Sequence, residues 1–301
     1  MGRPTEVRVR VPASSANLGP GFDSLGLALS LHDDVEVSVA SSGGVSVEVE
    51  GEGAGRVPCD ETHLVVRAMH HAWALFGAEP VGIRMRCVNA IPHSRGLGSS
   101  AAAAVAGAVA ACVLAGRDPE LEREALLQVT AGMEGHADNA AASLLGGFVV
   151  AWETVGNTAS RFHAVRQEVH PQIAPVALVA GVESSTKTTR GLLPEVVPLG
   201  DAAFTGSRTA LSVLAFTTRP ELLMAATEDR LHQGYRRPAY PESADLVDAL
   251  RARDVPAAIS GAGPTVLALT TDGALPADLD LTGFTALPLP VDGVGARVEI
   301  G

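Results

Sequence analysis

The stretch Pro92-His93-Ser94-Arg95-Gly96-Leu97-Gly98-Ser99-Ser100-Ala101-Ala102 gathers the residue types that holding a phosphate group requires. Gly96 and Gly98 permit tight turns and let the backbone approach a bulky anion. Ser99 and Ser100 offer hydroxyl donors, and a serine oxygen can also enter the shell of a hard cation. The run from Ala101 to Gly116 is apolar and alanine-rich, and reads as a buried helix. Its free N–H groups and positive dipole end would face the anion. The competing reading is a glycine-serine cap on an ordinary core helix. A second glycine-rich turn, Ser260-Gly261-Ala262-Gly263-Pro264-Thr265, sits between two apolar strand-like runs.

Charge sharpens this choice. The net charge is −12, from 22 Lys and Arg against 34 Asp and Glu. Such a surface repels nucleic acid, so an anionic ligand needs a local positive site. Lys187 is the one lysine of the chain. No Gly-Lys-Ser/Thr follows Gly98, and the near match from Gly181 to Thr188 lacks the glycine before Lys187, so a Walker A loop is excluded. Cys59, Cys87 and Cys112 lie far apart, form no CxxC pair, and suit reduced thiols in a cytosol. The opening residues alternate in polarity and lack the apolar stretch of a signal peptide. The apolar run ending at Gly116 is shorter than the roughly 20 residues of a membrane span. The expectation is a cytoplasmic protein without membrane or nucleic-acid partners.

The elements that must position these residues follow from periodicity. With 301 residues, 47% hydrophobic and 19% charged, the chain can bury a large core in two domains. Glu6 to Val11 alternates as a strand, and Pro12 to Gly21 reads as a loop rich in Ser, Asn, Gly and Pro. Val35–Val39 and Val45–Val49 flank Ser-Ser-Gly-Gly at 41–44, a hairpin signal. Helical spacing is read over Leu64–Phe76, Glu120–Met133, Asp201 to about Arg230, and Asp245–Arg253. Strands are expected at Val81–Val88, Phe148–Trp152 and Pro175–Gly181, with a turn or loop over Glu153–Arg161 and a strand-turn-strand unit over Ala257–Leu269.

Pro12-Ala13-Ser14-Ser15-Ala16-Asn17-Leu18-Gly19-Pro20-Gly21-Phe22-Asp23, then Gly96 to Ala102, then Ser260 to Thr265 resemble, in this order, the three motifs of the GHMP kinases. The resemblance runs from about residue 7 to 270, and the first motif looks like the branch that phosphorylates homoserine. It implies an α+β fold in two domains: residues 1–167, similar to ribosomal protein S5 domain 2 and carrying the ATP site, and 168–301, ferredoxin-like. It implies ATP on Pro92, Ser94, Arg95, Gly96, Leu97, Gly98, Ser99, Ser100, Ala101 and Ala102, with Mg2+ held by Ser100 and Glu134. It also implies L-homoserine bound by Asn17, Asp23, His136, Asn139, Arg190 and Arg236, with Asn139, Glu134 and Ser100 as the catalytic set. A homodimer is the family-level expectation.

The ligand's chemistry agrees with that set. Homoserine carries a carboxylate, an ammonium and a hydroxyl. Arg190 and Arg236 can clamp the carboxylate, Asp23 can take the ammonium, and Asn139 and His136 are left for the hydroxyl end. Other GHMP kinases use an Asp base where this chain places Asn139, and Asn accepts no proton as a carboxylate does. The expected mechanism is therefore positioning and charge neutralisation, with the substrate proton passing to a γ-phosphate oxygen and Asp138 engaged in structural hydrogen bonds. His63 stands where the family often has Asn near the adenine, and Thr186 is a further substrate candidate. His70-His71, the Asp33-Asp34 turn, Asp278, Asp280, Cys87 and Cys112 are assigned no chemistry. Two other readings stay open: a GHMP kinase acting on shikimate or an isoprenoid precursor, and a non-catalytic nucleotide-binding protein on the same fold.

Overall fold

The computed structural model describes residues 3–40, 43–77, 82–156, 160–184 and 186–300, apart from the side chains of 186, 187 and 300. In chain order the first part contains β1 (Glu6–Asn17), β2 (Gly21–Val39), β3 (Val45–Gly51), α1 (Leu64–Phe76), β4 (Ile83–Asn89), α2 (Ser99–Leu114), α3 (Arg123–Glu134), α4 (Asp138–Leu145), β5 (Phe148–Val155) and β6 (Ser160–Gln167). The second contains β7 (Ala174–Ala180), α5 (Thr186–Arg190), α6 (Leu199–Thr217), α7 (Leu223–Ala226), α8 (Gln233–Arg236) and α9 (Pro241–Arg251). It ends with β8 (Ala257–Ile259), β9 (Val266–Thr270), β10 (Phe284–Pro288) and β11 (Arg297–Ile300).

The first sheet is seven-stranded, along β11-β1-β2-β4-β3 with β5 and β6 attached through β2. Its last member, β11, pairs antiparallel with β1, so the end of the chain returns to the sheet in which it began. The second sheet has the order β10-β7-β9-β8, all antiparallel, the strand order of a ferredoxin-like unit. A pleat sends alternate side chains to opposite faces. Val176, Leu178, Val266 and Ala268 pack with Leu246 and Leu250 of α9, while Ala177, Val179, Leu267 and Leu269 join the core shared with the first sheet. Phe148 and Phe216 stack across that seam at 4.9 Å. The mixed α+β architecture is as expected.

Several local expectations needed correction. The segment 12–21 is not a loop: β1 runs on to Asn17 and only residues 18–20 turn. Its serines suit a buried strand because each has a partner: Ser14 Oγ donates to Asn139 Oδ1, and Ser15 Oγ is hydrogen-bonded to Ser260 Oγ. The hairpin between residues 35–39 and 45–49 is absent. β4 lies between those strands, paired antiparallel with β2 and parallel with β3. Alternation identifies a strand but not its neighbour, and α1 provides the crossover that a parallel pair requires. Ser41 and Ser42 of that turn lie outside the described residues. The helix expected over 201–230 ends at Thr217, with Pro220, which lacks an N–H donor, in the following turn. Residues 153–155 and 160–161 belong to the β5–β6 ladder rather than a loop. Asp33 is no turn residue: it is buried in β2 and accepts the N–H groups of Ala90 and Ile91 at 2.7 and 2.9 Å.

Candidate active site

α2 is hydrophobic all round and, apart from the half-buried Ala103, buried from Ala101 to Leu114, which fixes it as a rigid strut through the first unit. Its first residue follows Gly98, which has φ +70° and makes no side-chain cap, so the opening N–H groups of the helix need another acceptor. Gly96 has φ +79°, and a Cβ there would stand 2.3 Å from the Ser260 carbonyl oxygen. A Cβ on Gly98 would stand 2.0 Å from Ser14 Oγ. Both positions therefore exclude a side chain by conformation and by space.

Those near approaches bring three distant segments together. Ser14 N–H donates to the Leu97 carbonyl, Ser260 Oγ donates to the Gly96 carbonyl, and Gly261 N–H donates to the Ala16 carbonyl. Asn17 Nδ2 donates to the Gly261 carbonyl at 2.7 Å, while its Oδ1 accepts Asp23 N–H. Asn17, Leu18 and Asp23 hold positive φ without being glycine, backbone strain of the kind stored at ligand sites.

The resulting cavity of about 420 Å3 is lined by Pro92, Ser94, Arg95, Gly96, Leu97, Gly98, Ser99, Ser100 and Ala101 on one side and by Asn17, Asp23, His136, Asn139, Arg190 and Arg236 on the other. Ala102 alone of the expected ATP-site residues faces instead a neighbouring cavity of about 280 Å3, which shares Ser94, Ser99 and Ser100 as a wall. His63 lines that second cavity with Asp33, Asn89 and His93, and caps α1 by accepting Val65 N–H. Burial holds the His63 and His93 imidazoles below their usual range. Glu134 is the last residue of α3 rather than lying beyond it, and Ser100 Oγ donates to its Oε1 at 2.5 Å. Two hard oxygens thus converge at the mouth of the phosphate loop, a donor set that fits magnesium.

The two arginines differ sharply. Arg190 forms a two-pronged ion pair with Asp23, at 2.7 and 3.0 Å, and that hydrogen bonding raises its pKa. Arg236 is 1% exposed, and among the described residues it has no carboxylate within ion-pair distance. Among the described residues its nitrogens reach only the Thr189 carbonyl and His232 Nδ1, at 3.4 and 3.3 Å. Burial accordingly pulls its pKa below the usual arginine value. Both guanidiniums lie over the Phe22 ring, at 5.2 and 5.3 Å from its centre.

Opposite them, Asp138 Oδ1 accepts His136 Nδ1–H and the Asn139 N–H, each at 2.8 Å. The bond from Asp138 outweighs burial and raises the His136 pKa. Polar atoms of Asp23, His136 and Asp138 all lie within 4.8 Å of one another, an acidic pocket suited to an ammonium. Phe22, Ser14 and His232 also belong to the site, although residue chemistry alone did not single them out. Phe22 and Ser14 stood inside a recognised motif, whereas nothing local marks His232. The side chains of Thr186 and Lys187 are outside the described set.

Residues 63–147 match the model for the GHMP kinase N-terminal domain, and 214–279 match that for the C-terminal domain. A homoserine kinase of Streptomyces avermitilis is 53% identical over 98% of this chain and 96% of its own. One of Rhodococcus opacus is 52% identical, covering 96% of each. The crystal structure of homoserine kinase from Cytophaga hutchinsonii superposes with TM-score 0.83 at 26% identity over 99% of both chains. A mevalonate kinase at 13% identity and TM-score 0.67, covering 95% of this chain and 99% of that one, shares the fold alone. With family models matched in both halves and near full-length relatives above half identity, this chain belongs to the GHMP kinases, within the homoserine kinase family.

Proposed function

We propose that the chain transfers the γ-phosphoryl group of ATP to the hydroxyl of L-homoserine, giving ADP and O-phospho-L-homoserine on the way to threonine. The observation that carries this reading is Arg236: a buried cation with no carboxylate partner among the described residues, opening onto a cavity beside a phosphate loop. An uncompensated buried charge is costly, so the site calls for an anionic group from the ligand. A carboxylate at Arg236 places an adjacent ammonium near Asp23, Asp138 and His136. Shikimate and mevalonate carry a carboxylate and a hydroxyl but no ammonium, and would leave that acidic pocket unmatched.

In this proposal residues 92–101 take the triphosphate, and the adjoining cavity with His63 takes the nucleoside. Ser100 and Glu134 would hold magnesium, which when bound neutralises phosphate charge. Asn139 Oδ1 accepts from Ser14 Oγ, so its amide NH2 is the end presented to a ligand. It can orient the hydroxyl by donating, but cannot take its proton. The hydroxyl oxygen bonds to the γ-phosphorus, the bond from that phosphorus to the β–γ bridging oxygen breaks, and the proton passes to a γ-phosphoryl oxygen. This demands positioning rather than a protein base, as a loose transition state allows. Residues 1–167, with β11 added to their sheet, act as the ATP-binding domain and the rest of 168–301 as the closing domain of a cytoplasmic homodimer. Among the described residues no helix is long and apolar enough to cross a membrane.

Magnesium-dependent ADP release, assayed with homoserine, shikimate and mevalonate, tests the reading. Homoserine is expected to give the dominant kcat/KM. Equal or greater turnover with shikimate or mevalonate would defeat the amino-acid assignment, and ATP binding without turnover would leave only a nucleotide-binding protein.

A further inference from the structure

His232 is fully buried, and no step above uses it. Its Nε2 lies 2.7 Å from the Gly19 carbonyl oxygen, and its Nδ1 lies 3.3 Å from Arg236 Nη1. These partners fix the ring's protons. A carbonyl only accepts, so Nε2 carries hydrogen; a guanidinium only donates, so Nδ1 presents its lone pair. The ring must be neutral, since an imidazolium would lose the Arg236 bond and face a second cation.

Other groups around the ring fit this state. The buried Asp229 carboxylate, 3.9 Å from Nε2, is engaged with the N–H groups of Leu231, His232 and Gln233 at the start of α8. Phe22 packs against the imidazole at 5.3 Å, and burial lowers the ring's pKa. Gln233 Oε1 accepts Ile259 N–H at 2.6 Å and ties α8 to β8, next to the Ser260 turn. α8 is therefore pinned on both sides, and His232 links it to the turn that carries Asn17, Phe22 and Asp23.

We propose that His232 is a positioning residue: anchored to the Gly19 carbonyl through Nε2–H, it holds the Arg236 guanidinium by its Nδ1 lone pair and so sets the spacing between the carboxylate and ammonium subsites. This rests on the assignment of Arg236 to the substrate carboxylate.

The test compares His232→Phe, His232→Gln, Arg236→Met and the His232→Phe/Arg236→Met double variant, with KM for homoserine and ATP measured in each. Phe keeps the packing against Phe22 but neither hydrogen bond, whereas Gln retains a donor and an acceptor. His232→Phe should raise the homoserine KM by about tenfold to a hundredfold, the scale of one hydrogen bond to a charged group, with the ATP KM within about twofold. Gln should restore much of that loss, and the double variant should be little worse than Arg236→Met alone. Equal rises in both KM values, no rescue by Gln, or additive effects in the double variant would overturn the proposal. Ring 15N shifts of the intact protein give an answer independent of how the variants fold. The neutral Nε2–H tautomer at pH 7 supports the assignment, and an imidazolium or Nδ1–H form defeats it. If Arg236→Met leaves the homoserine KM unchanged, the carboxylate assignment itself falls, whatever His232→Phe does.

Discussion

Arg236 and Arg190 look alike as letters but sit in opposite electrostatic states. Arg190 is neutralised by Asp23, while Arg236 is buried with no carboxylate in ion-pair contact among the described residues. Arg236→Met keeps the stem's packing and removes the uncompensated charge. The homoserine KM should rise about a hundredfold while the melting temperature stays level or increases, because binding and stability oppose each other here. A variant that loses both together would mean that Arg236 serves the fold. Asp138 invites a different test. Its carboxylate receives His136 Nδ1–H and Asn139 N–H through one oxygen, and an Asn side chain could accept both. Asp138→Asn should therefore lower kcat by less than about tenfold, well short of removing an essential base. Abolished turnover with homoserine binding and fold intact would restore Asp138 as the base. Motif residues such as Asp23 and Asn139 were legible because their order along the chain is itself a signal. His232 was not, because its meaning comes from Gly19 and Arg236, which only the folded chain brings to its ring.

The phosphate loop shows why elements, rather than residues, make the site. Gly98 ends a turn and begins α2 at φ +70°, with Ser14 Oγ and Asn139 Oδ1 crowding the place where a Cβ would go, at 2.0 and 3.1 Å. An alanine in the left-handed region costs roughly 1–2 kcal/mol before any clash is counted. Gly98→Ala should lose at least that much stability and weaken ATP. Adding Ser14→Ala should return the clash portion but not the conformational portion. If the second change gives no relief, the steric account is wrong. Legibility at this scale was uneven. The buried α2 was readable because fourteen consecutive residues without a polar side chain, 101–114, admit few other structures. The extension of β1 through Ser14 and Ser15 was hidden, because their hydrogen-bond partners lie more than a hundred residues away. The β2–β3 hairpin failed for a related reason: alternation reports which face is buried and says nothing about which strand lies alongside.

At the scale of the whole molecule, two buried titratable groups push stability in opposite directions with pH. Burial lowers the His232 pKa, so the unfolded chain takes up protons that the folded one refuses, and stability falls as pH drops below about 6.5. Burial raises Asp33 from 3.8 to about 6, outweighing the N–H groups of Ala90 and Ile91 that favour its ionised form. The folded state therefore binds the extra proton between those values. This contribution is complete below 3.8 and is lost as pH rises through about 6, leaving a buried carboxylate ionised at neutral pH. Asp33→Asn keeps an acceptor for both N–H groups and removes the charge. Urea midpoints measured from pH 4 to 8 should show the Asn variant about 1–3 kcal/mol more stable at pH 7.5, with the difference closing toward pH 4. The His232 contribution is common to both proteins and cancels in that difference. Equal stability at pH 7.5, or a less stable Asn variant, would show that the N–H bonds at Ala90 and Ile91 compensate the charge in full. Because those bonds hold the lead-in to the phosphate loop, the same variant separates the cost of the anchor from its purpose. Asp33 also lines the cavity assigned to the nucleoside, so removing its charge should leave the anionic ATP bound as tightly or more tightly even as stability rises.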